Sequence, residues 1–359
     1  MTADDPLVLV TGATGFVASQ LVRELLQQGY RVRGTVRDPA KADVLWKLPR
    51  AAERLELATA DLLAPGSFDA AMADVTLVAH TASPYTLTVA DAQRDLVEPA
   101  EQGTLNVLAA AKNAGVRRVV LTSSVAAISD EPDPKVKLTE KHWNTKSSLT
   151  RNPYYFSKVR GERAAWEFME REKPRFSLIA VNPFLVLGPS LIPGLNSSNA
   201  VIANILNGKY PGIIDLIWGI VDVRDVALAH LLALTTPRAR GRYLCAAGVM
   251  SMREVVGKLS ARGYGERFPK LGKTAKRGLD HALGNVVVKL GSWFQPRGVG
   301  SYLRTHLGRR PRFDNSKIKS ELGLTFRGLE QTLVDTVEDL IRWGHVVEAG
   351  SLAPSRRPA

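Results

Sequence analysis

Cysteine is nearly absent from this sequence. Cys245 stands alone among 359 residues, which excludes an intramolecular disulfide and favours a reducing compartment. Its neighbours in Tyr-Leu-Cys-Ala-Ala predict a buried, small apolar side chain. No run approaches the roughly 20 apolar residues of a membrane-spanning helix, and no basic or cleavable leader precedes the apolar run that starts at Leu7. We therefore expect a soluble, cytoplasmic protein.

Histidine is also scarce, and the six histidines show no His, Cys or Asp spacing typical of metal ligands. We expect no metal site, and a structural role for His80. The net charge of +13 is concentrated in residues 253–319, which hold sixteen Lys and Arg against four Asp and Glu. This stretch has no nucleic-acid motif and no interleaved aromatic residues, so we predict no nucleic-acid partner. A solvated surface is the simplest interpretation, and anionic lipid or an anionic substrate are alternatives.

Apolar strand-like runs alternate with helical patterns through the first half of the chain. A helix is predicted at 16–28, closed by Gly29, and strands are predicted at 7–11, 31–36, 55–60, 76–79, 118–122 and 177–181. The alternation predicts the α/β class with a doubly wound parallel sheet.

A glycine-rich turn follows the first predicted strand and opens the first helix. Gly12, Gly15 and Ala18 are small enough for a tight turn, which lets a pyrophosphate approach the N–H groups of the helix N-terminus. The strand, turn and helix context predicts a dinucleotide site. Its predicted contacts from the turn are Gly12, Thr14, Gly15, Phe16 and Val17.

The second predicted strand ends in Val36-Arg37. A basic residue at this position accommodates the 2′-phosphate of NADP, whereas an acidic residue binds the ribose of NAD. Arg37, with Lys41 one helical turn on, favours NADPH; Asp38 supports NADH as the alternative. Asp61 and Leu62 end the third predicted strand, where we expect them to contact the edge of the adenine ring. The alternative role of Asp61 is to cap the end of that strand.

Domain boundaries follow from these patterns. We expect residues 1–182 to form an NADP-binding Rossmann domain, to which residues 221–235 return. Residues 183–349, where proline and glycine become frequent, should form mainly a smaller C-terminal substrate lobe. Residues 350–359 are predicted to be a disordered tail.

Tyr154 and Lys158 are four residues apart and would lie on one face of a helix. A nearby ammonium lowers the pKa of a phenol, which is ordinarily about 10, and so makes it a better proton donor. Tyr155 is the competing tyrosine, at a spacing of three. A serine of Thr122-Ser123-Ser124, at the end of a predicted strand, would bind the same carbonyl oxygen. These residue types predict hydride transfer from a nicotinamide to a carbonyl.

The sequence resembles the extended short-chain dehydrogenase/reductase family, in the branch of dihydroflavonol reductases, cinnamoyl-CoA reductases and microbial aldehyde or ketone reductases. The resemblance implies that Ser124 is the catalytic serine, that Ala82 and Pro84 lie beside the cofactor, and that Pro183 borders the nicotinamide. The motifs that carry the resemblance are Thr11-Gly12-Ala13-Thr14-Gly15-Phe16-Val17-Ala18-Ser19, Thr35-Val36-Arg37-Asp38-Pro39, His80-Thr81-Ala82-Ser83-Pro84, Thr122-Ser123-Ser124, Tyr154-Tyr155-Phe156-Ser157-Lys158 and Val181-Asn182-Pro183.

Two positions leave the substrate open within that branch. Asn152-Pro153-Tyr154-Tyr155 replaces the Asn-Trp-Tyr-Cys of plant cinnamoyl-CoA reductases, and Ser129 stands where dihydroflavonol reductases carry asparagine. We expect a small-molecule aldehyde or ketone as substrate. The alternatives are a 3β-hydroxysteroid-type dehydrogenase at a membrane surface, and a non-catalytic NADP-binding regulator. A sugar-nucleotide epimerase fits less well, and the protein is expected to be a monomer or homodimer.

A basic amphipathic segment spans residues 275–295. Its apolar residues recur at helical spacing: Leu279, Leu283, Val286, Val287, Leu290, Trp293 and Phe294. They would line the substrate pocket, pack on the core or lie on a membrane surface. Gly284 and Gly291 weaken a free-standing helix, so we expect the segment to pack within the fold.

Overall fold

The computed structural model describes residues 6–83, 90–276 and 278–349. The predicted cofactor residue Pro84 and the predicted tail 350–359 lie outside these residues. Within them the strands are β1 Leu7–Val10, β2 Arg31–Val36, β3 Leu55–Thr59, β4 Val75–His80, β5 Arg118–Thr122, β6 Lys137–Leu138, β7 Ser177–Pro183, β8 Leu185–Leu187, β9 Ile217–Asp222, β10 Gly241–Cys245, β11 Gly248–Ser251 and β12 Arg312–Phe313.

Helices separate these strands along most of the chain. They are α1 Phe16–Gln27, α2 Asp43–Trp46, α3 Ala51–Arg54, α4 Glu98–Asn113, α5 Pro153–Glu172, α6 Ser197–Leu206, α7 Val223–Thr235, α8 Met252–Ala261, α9 Tyr264–Arg267, α10 Pro269–Ala275, α11 Ala282–Gly291, α12 Arg297–His306, α13 Ser316–Leu322 and α14 Leu329–Arg342. None of those in the described ranges is long and apolar enough to cross a membrane.

A seven-stranded parallel sheet in the order β10-β7-β5-β4-β1-β2-β3 forms the centre of the fold. Successive residues of β1 face opposite sides, because side chains alternate along a strand. Val8 and Val10 pack with α1 and α7, whereas Leu7 and Leu9 pack with α4 and α5. Burial on both faces explains the uninterrupted apolar runs of the strands. The predicted doubly wound Rossmann fold is confirmed.

A second core lies beyond the central sheet. The three-stranded sheet β11-β9-β8 packs with α6, α8 and α14 through residues such as Ile202, Trp218, Val255 and Leu340. The chain returns to the central sheet at α7, which packs beside α1. The division between residues 182 and 183 remains a prediction.

The basic amphipathic segment forms α11 and a following 3₁₀ turn, Ser292–Phe294. Val288 and Leu279 pack against the second core. However, Leu283, Val286, Val287, Leu290, Trp293 and Phe294 are exposed, so the expectation that this apolar face packs within the fold is wrong. The helical spacing was correct, but only the opposite, narrower side of the helix faces the core.

Candidate active site

The glycine turn places the N-terminus of α1 at the carboxyl end of β1. Gly12 has a φ of +62°, a left-handed conformation that glycine adopts at little cost. A Cβ at this position would also lie only 3.0 Å from the Cβ of Ala82. The Gly15 N–H donates to the Gly12 carbonyl at 2.8 Å, and Gly15 is the N-cap of α1 without a capping side chain. The first N–H groups of the helix are thereby left available to an anion.

Thr14, Phe16 and Val17 are only partly buried at this turn, whereas Ala18 is buried beneath it. The turn is tied to β2, since the Gly12 N–H donates to Thr35 Oγ1 at 3.1 Å. The five predicted contact residues of the turn therefore lie together at one end of the sheet.

The end of β2 presents Arg37 to solvent. Its guanidinium makes no hydrogen bond or ion pair with any residue in the described ranges, and it is exposed. Asp38, the competing residue, is engaged: its carboxylate accepts from the Ala40 N–H at 3.1 Å and lies 3.5 Å from Lys41 Nζ. A phosphate-binding cation at this position is therefore available, while the carboxylate already has partners.

Asp61 and Leu62 differ in their surroundings. Asp61 is exposed, and its carboxylate accepts from the Leu63 N–H at 2.9 Å, which is the capping alternative. Leu62 is part of the wall of the cleft described next and packs against Gly103, where a Cβ would come within 3.2 Å of the Leu62 Cβ. The structure brings Leu62, but not Asp61, to this cleft.

A cleft lies beyond the carboxyl ends of β4 and β5. Ligands of open α/β sheets bind at this edge. Its walls include Ala82 and Ser83 after β4, Thr122 at the end of β5 with Ser123 after it, and Lys158 from α5.

Tyr154 and Lys158 face each other on the first turns of α5. The helix follows Asn152, whose left-handed backbone (φ 47°, ψ 59°) turns the chain, and starts at Pro153, a residue favoured at the first helical position. Lys158 Nζ lies 5.6 Å from the centroid of the Tyr154 ring and donates to Ser83 Oγ at 2.8 Å. Burial lowers the pKa of Lys158 to about 8, because a low-dielectric surrounding disfavours the ammonium.

Tyr155 has a different environment. Its hydroxyl lies 3.2 Å from His306 Nε2 on α12, and its ring packs at 5.4 Å from the His306 ring. Burial raises the pKa of Tyr155 well above that of an ordinary phenol. Tyr155 therefore joins α5 to α12, whereas Tyr154 remains beside Lys158.

The two adjacent serines are distinguished in the same way. Ser123 is buried and donates its hydroxyl hydrogen to Glu162. Ser124 is half-buried and accepts from the Ala126 N–H at 3.1 Å, as N-cap of the short turn Val125–Ala127. That bond uses an oxygen lone pair, so the Ser124 O–H can still donate to a substrate.

A buried polar network that the sequence did not indicate supports this serine. Arg242 on β10 donates from Nε to Glu162 at 2.6 Å, and its guanidinium stacks 4.0 Å from the Trp143 ring centroid. The Asn182 amide donates both to Glu162, at 2.8 Å, and to the Ser124 carbonyl, at 3.1 Å. Glu162 is four residues beyond Lys158, just as Lys158 is four residues beyond Tyr154. This spacing is the signal in the sequence that places Glu162 near the same face of α5. Pro183 is buried directly after Asn182.

His80 holds the loop that carries Ala82 and Ser83. Thr11 Oγ1 accepts from the N–H groups of Thr81 and Ala82 at 3.1 and 2.9 Å, so its hydrogen is donated to His80 Nδ1, 2.9 Å away. Burial lowers the pKa of His80 to about 3, which keeps the imidazole neutral as an acceptor. Across the described residues, no cluster of His, Cys, Asp and Glu is arranged to hold a metal ion.

Comparisons with known proteins identify the family of this chain. Residues 8–246 match the NAD dependent epimerase/dehydratase family. Tetraketide alpha-pyrone reductase 1 of Arabidopsis thaliana is 38% identical over 351 residues, 94% of this chain and 96% of that protein. Cinnamoyl-CoA reductase 1 of Petunia hybrida is 40% identical over 346 residues, 95% of this chain and 93% of that protein. Gre2 from Candida albicans in complex with NADPH has a TM-score of 0.78 and 34% identity, covering 94% of this chain and 99% of that one. The chain therefore belongs to the NAD dependent epimerase/dehydratase family, the extended short-chain dehydrogenases/reductases.

Proposed function

We propose that this protein reduces an aldehyde or ketone to the alcohol with NADPH, using Tyr154 as the proton donor. The observation that carries the proposal is that Lys158, which lines the cleft at the carboxyl edge of the sheet, has its Nζ 5.6 Å from the centroid of the Tyr154 ring. The relatives support it, since two of them are reductases and the solved Gre2 structure holds NADPH. When bound, the nicotinamide supplies the hydride.

The residues proposed to bind the cofactor fit NADPH. The uncapped N-terminus of α1 and the small Gly12 and Gly15 suit a pyrophosphate, and Leu62 and Ala82 provide apolar contact in the adjoining cleft. Arg37 is free to bind the 2′-phosphate through a charge-assisted contact. NADH remains an alternative cofactor of lower affinity.

Three side chains would act on the carbonyl. Ser124 donates a hydrogen bond that orients the substrate oxygen, and Tyr154 transfers its proton to that oxygen as the alkoxide develops. The Lys158 ammonium stabilises the resulting phenolate and holds the ribose. Ser83 orients Lys158 through the 2.8 Å hydrogen bond.

Deuterium transfer tests the reaction itself. Protein supplied with a carbonyl substrate and NADPH that carries deuterium at both C4 positions of the nicotinamide should give an alcohol with one deuterium on its carbinol carbon, measured by mass spectrometry. Oxidation of this NADPH without deuterium on the carbinol carbon would contradict hydride transfer to the carbonyl.

Replacing Arg37 with Ala should weaken NADPH binding and leave NADH binding nearly unchanged. A hydrogen bond to a charged group contributes about 1.5–3 kcal/mol, so the Kd for NADPH should rise roughly ten- to hundredfold. Titration of cofactor fluorescence with both cofactors measures this. Lys41→Ala is the matched control and should change the Kd less, because Lys41 Nζ already lies 3.5 Å from the Asp38 carboxylate. An equal rise of the Kd for both cofactors in Arg37→Ala would refute the proposal that Arg37 binds the 2′-phosphate.

The rate of reduction should fall as the pH rises through about 8, the pKa of Lys158. Below that pH the amine is charged and stabilises the phenolate; above it the amine is neutral and Tyr154 becomes a weaker acid. A profile of kcat/KM against pH measures this. Lys158→Arg stays charged throughout and should lose this inflection. The same inflection in both proteins would show that another group titrates.

A 3β-hydroxysteroid-type dehydrogenase at a membrane surface is the second candidate, because α11 exposes an apolar face. Turnover of 3-ketosteroids, with no turnover of aldehydes or ketoesters, would favour it. Retention of Ser124, Tyr154 and Lys158 argues against a non-catalytic regulator. We further propose that the enzyme works in the cytoplasm as a monomer or homodimer, which sedimentation at several concentrations would test.

A further inference from the structure

An apolar surface without a partner in the described part of the chain lies on α11 and the turn that follows. We call it the α11 patch. Phe294 is 90% exposed, Trp293 71% and Leu283 70%. The members are Leu283, Val286, Val287, Leu290, Trp293 and Phe294. The first four follow the spacing i, i+3, i+4, i+7 and therefore form one stripe along the helix. Contiguous exposed patches of this kind mark interaction sites.

The opposite side of α11 is fixed to the protein. Val288 packs into the second core, and the Asn285 amide donates to the Asp215 carboxylate at 3.1 Å. Gly284 lies so close to the Leu279 carbonyl that any Cβ would overlap it. These contacts determine the rotation of the helix, so the stripe faces outward because of the packing behind it.

Trp293 is also held in place. The Arg304 guanidinium lies over its ring, 4.2 Å from the centroid, and donates to the Ser292 carbonyl at 3.2 Å. An exposed tryptophan beside a cation is suited to the boundary between lipid headgroups and acyl chains.

The stretch of sequence that carries the patch has charges of one sign. Between Asp280 and Asp314 the sequence has six Lys and Arg and no Asp or Glu. Lys289 and Arg297 are exposed and form no ion pair with any residue in the described ranges. Arg309 and Arg310, by contrast, pair with Glu131 and Glu254. Lys289, within α11, and Arg297, three residues after Phe294, are thus available to an anionic partner.

We propose that the α11 patch docks the protein on an anionic lipid surface. The apolar stripe would enter the headgroup boundary, while Lys289 and Arg297 contact lipid phosphates or carboxylates. A two-fold contact between copies of this chain is disfavoured, because it would bring two patches, each with unpaired cations beside it, against each other. α11 has ten residues, so the contact is peripheral. This proposal does not depend on the proposed reaction.

Co-sedimentation of the full chain with vesicles tests the docking. Phosphatidylcholine vesicles should leave the protein in solution, whereas vesicles of phosphatidylcholine with phosphatidylserine should sediment it. Binding to the anionic vesicles should weaken at high salt, since surface charge is then screened. Sedimentation with neither vesicle, or equally with both, would overturn the proposal.

Two double variants separate the patch from the rest of the surface. L290S/F294S should lower the vesicle partition coefficient at least tenfold, since burial of each side chain corresponds to a factor of about ten or more. L195S/V347S removes exposed apolar side chains elsewhere and should bind as the wild type does. K289E/R297E should abolish the preference for anionic vesicles. Equal vesicle binding by L290S/F294S and L195S/V347S would refute the α11 patch as the lipid-binding surface. A wild-type dimer that binds no vesicles and is dissociated only by L290S/F294S would refute it as well.

Discussion

Replacing Tyr154 with Phe is expected to lower kcat for carbonyl reduction by about a hundred- to ten-thousandfold, the usual contribution of a positioned general acid. The substitution removes the only atom proposed to protonate the substrate oxygen and leaves the ring in place. The dissociation constant for NADPH should stay close to that of the wild type, because its proposed phosphate contacts come from the α1 turn and Arg37. Steady-state kinetics together with a cofactor titration measures both.

Tyr155→Phe is the matched control for this substitution. The Tyr155 hydroxyl lies 3.2 Å from His306 Nε2, so its loss should reduce stability and change kcat much less. If Tyr155→Phe removed activity and Tyr154→Phe retained it, the proton donor would have been assigned to the wrong tyrosine.

Replacing Glu162 with Ala should lower the free energy of unfolding by about 3–5 kcal/mol, the cost of leaving one member of a buried ion pair alone. The Glu162 side chain is fully buried, and Arg242 is only 7% exposed. Glu162 also accepts from Ser123, Asn182 and the Trp166 indole. Without the carboxylate, the guanidinium and several hydrogen-bond donors would be buried without a partner.

Urea denaturation measures this effect through the shift of the midpoint at an unchanged slope. Lys112→Ala breaks an exposed ion pair with Glu172 and should change stability far less, because solvent screens such pairs. A loss for Glu162→Ala no larger than that of Lys112→Ala would show that Arg242 finds other partners.

The central sheet could be predicted because each of its strands is indicated by residues that are neighbours in the sequence. The strands β2 and β5 begin and end at the predicted residues, and β7 extends two residues beyond its prediction to Pro183. Buried parallel strands read as continuous apolar runs, and the small residues of the glycine turn are required by its close approach to Ala82. The spacing of Tyr154 and Lys158 similarly determines that they share a helix face.

The parts that could not be predicted depend on distant contacts. Glu162 and Arg242 are eighty residues apart, and neither carries a local sign of its partner. α11 shows why periodicity alone is insufficient. Its apolar spacing is correct for a packed helix, yet Asn285 and Val288 determine which side faces the core. The spacing of apolar residues along a helix shows which residues share a face. It does not specify what packs against that face.

The oxidation of NADPH and of NADH, followed at the reduced nicotinamide absorbance band with aromatic aldehydes, β-ketoesters, dihydroflavonols and 3-ketosteroids, tests the central claim most directly. We predict turnover of at least one aldehyde or ketone, faster with NADPH than with NADH, and its loss in Tyr154→Phe. Tight NADPH binding without oxidation by any of these carbonyl compounds would contradict a carbonyl reductase and favour a non-catalytic NADP-binding protein.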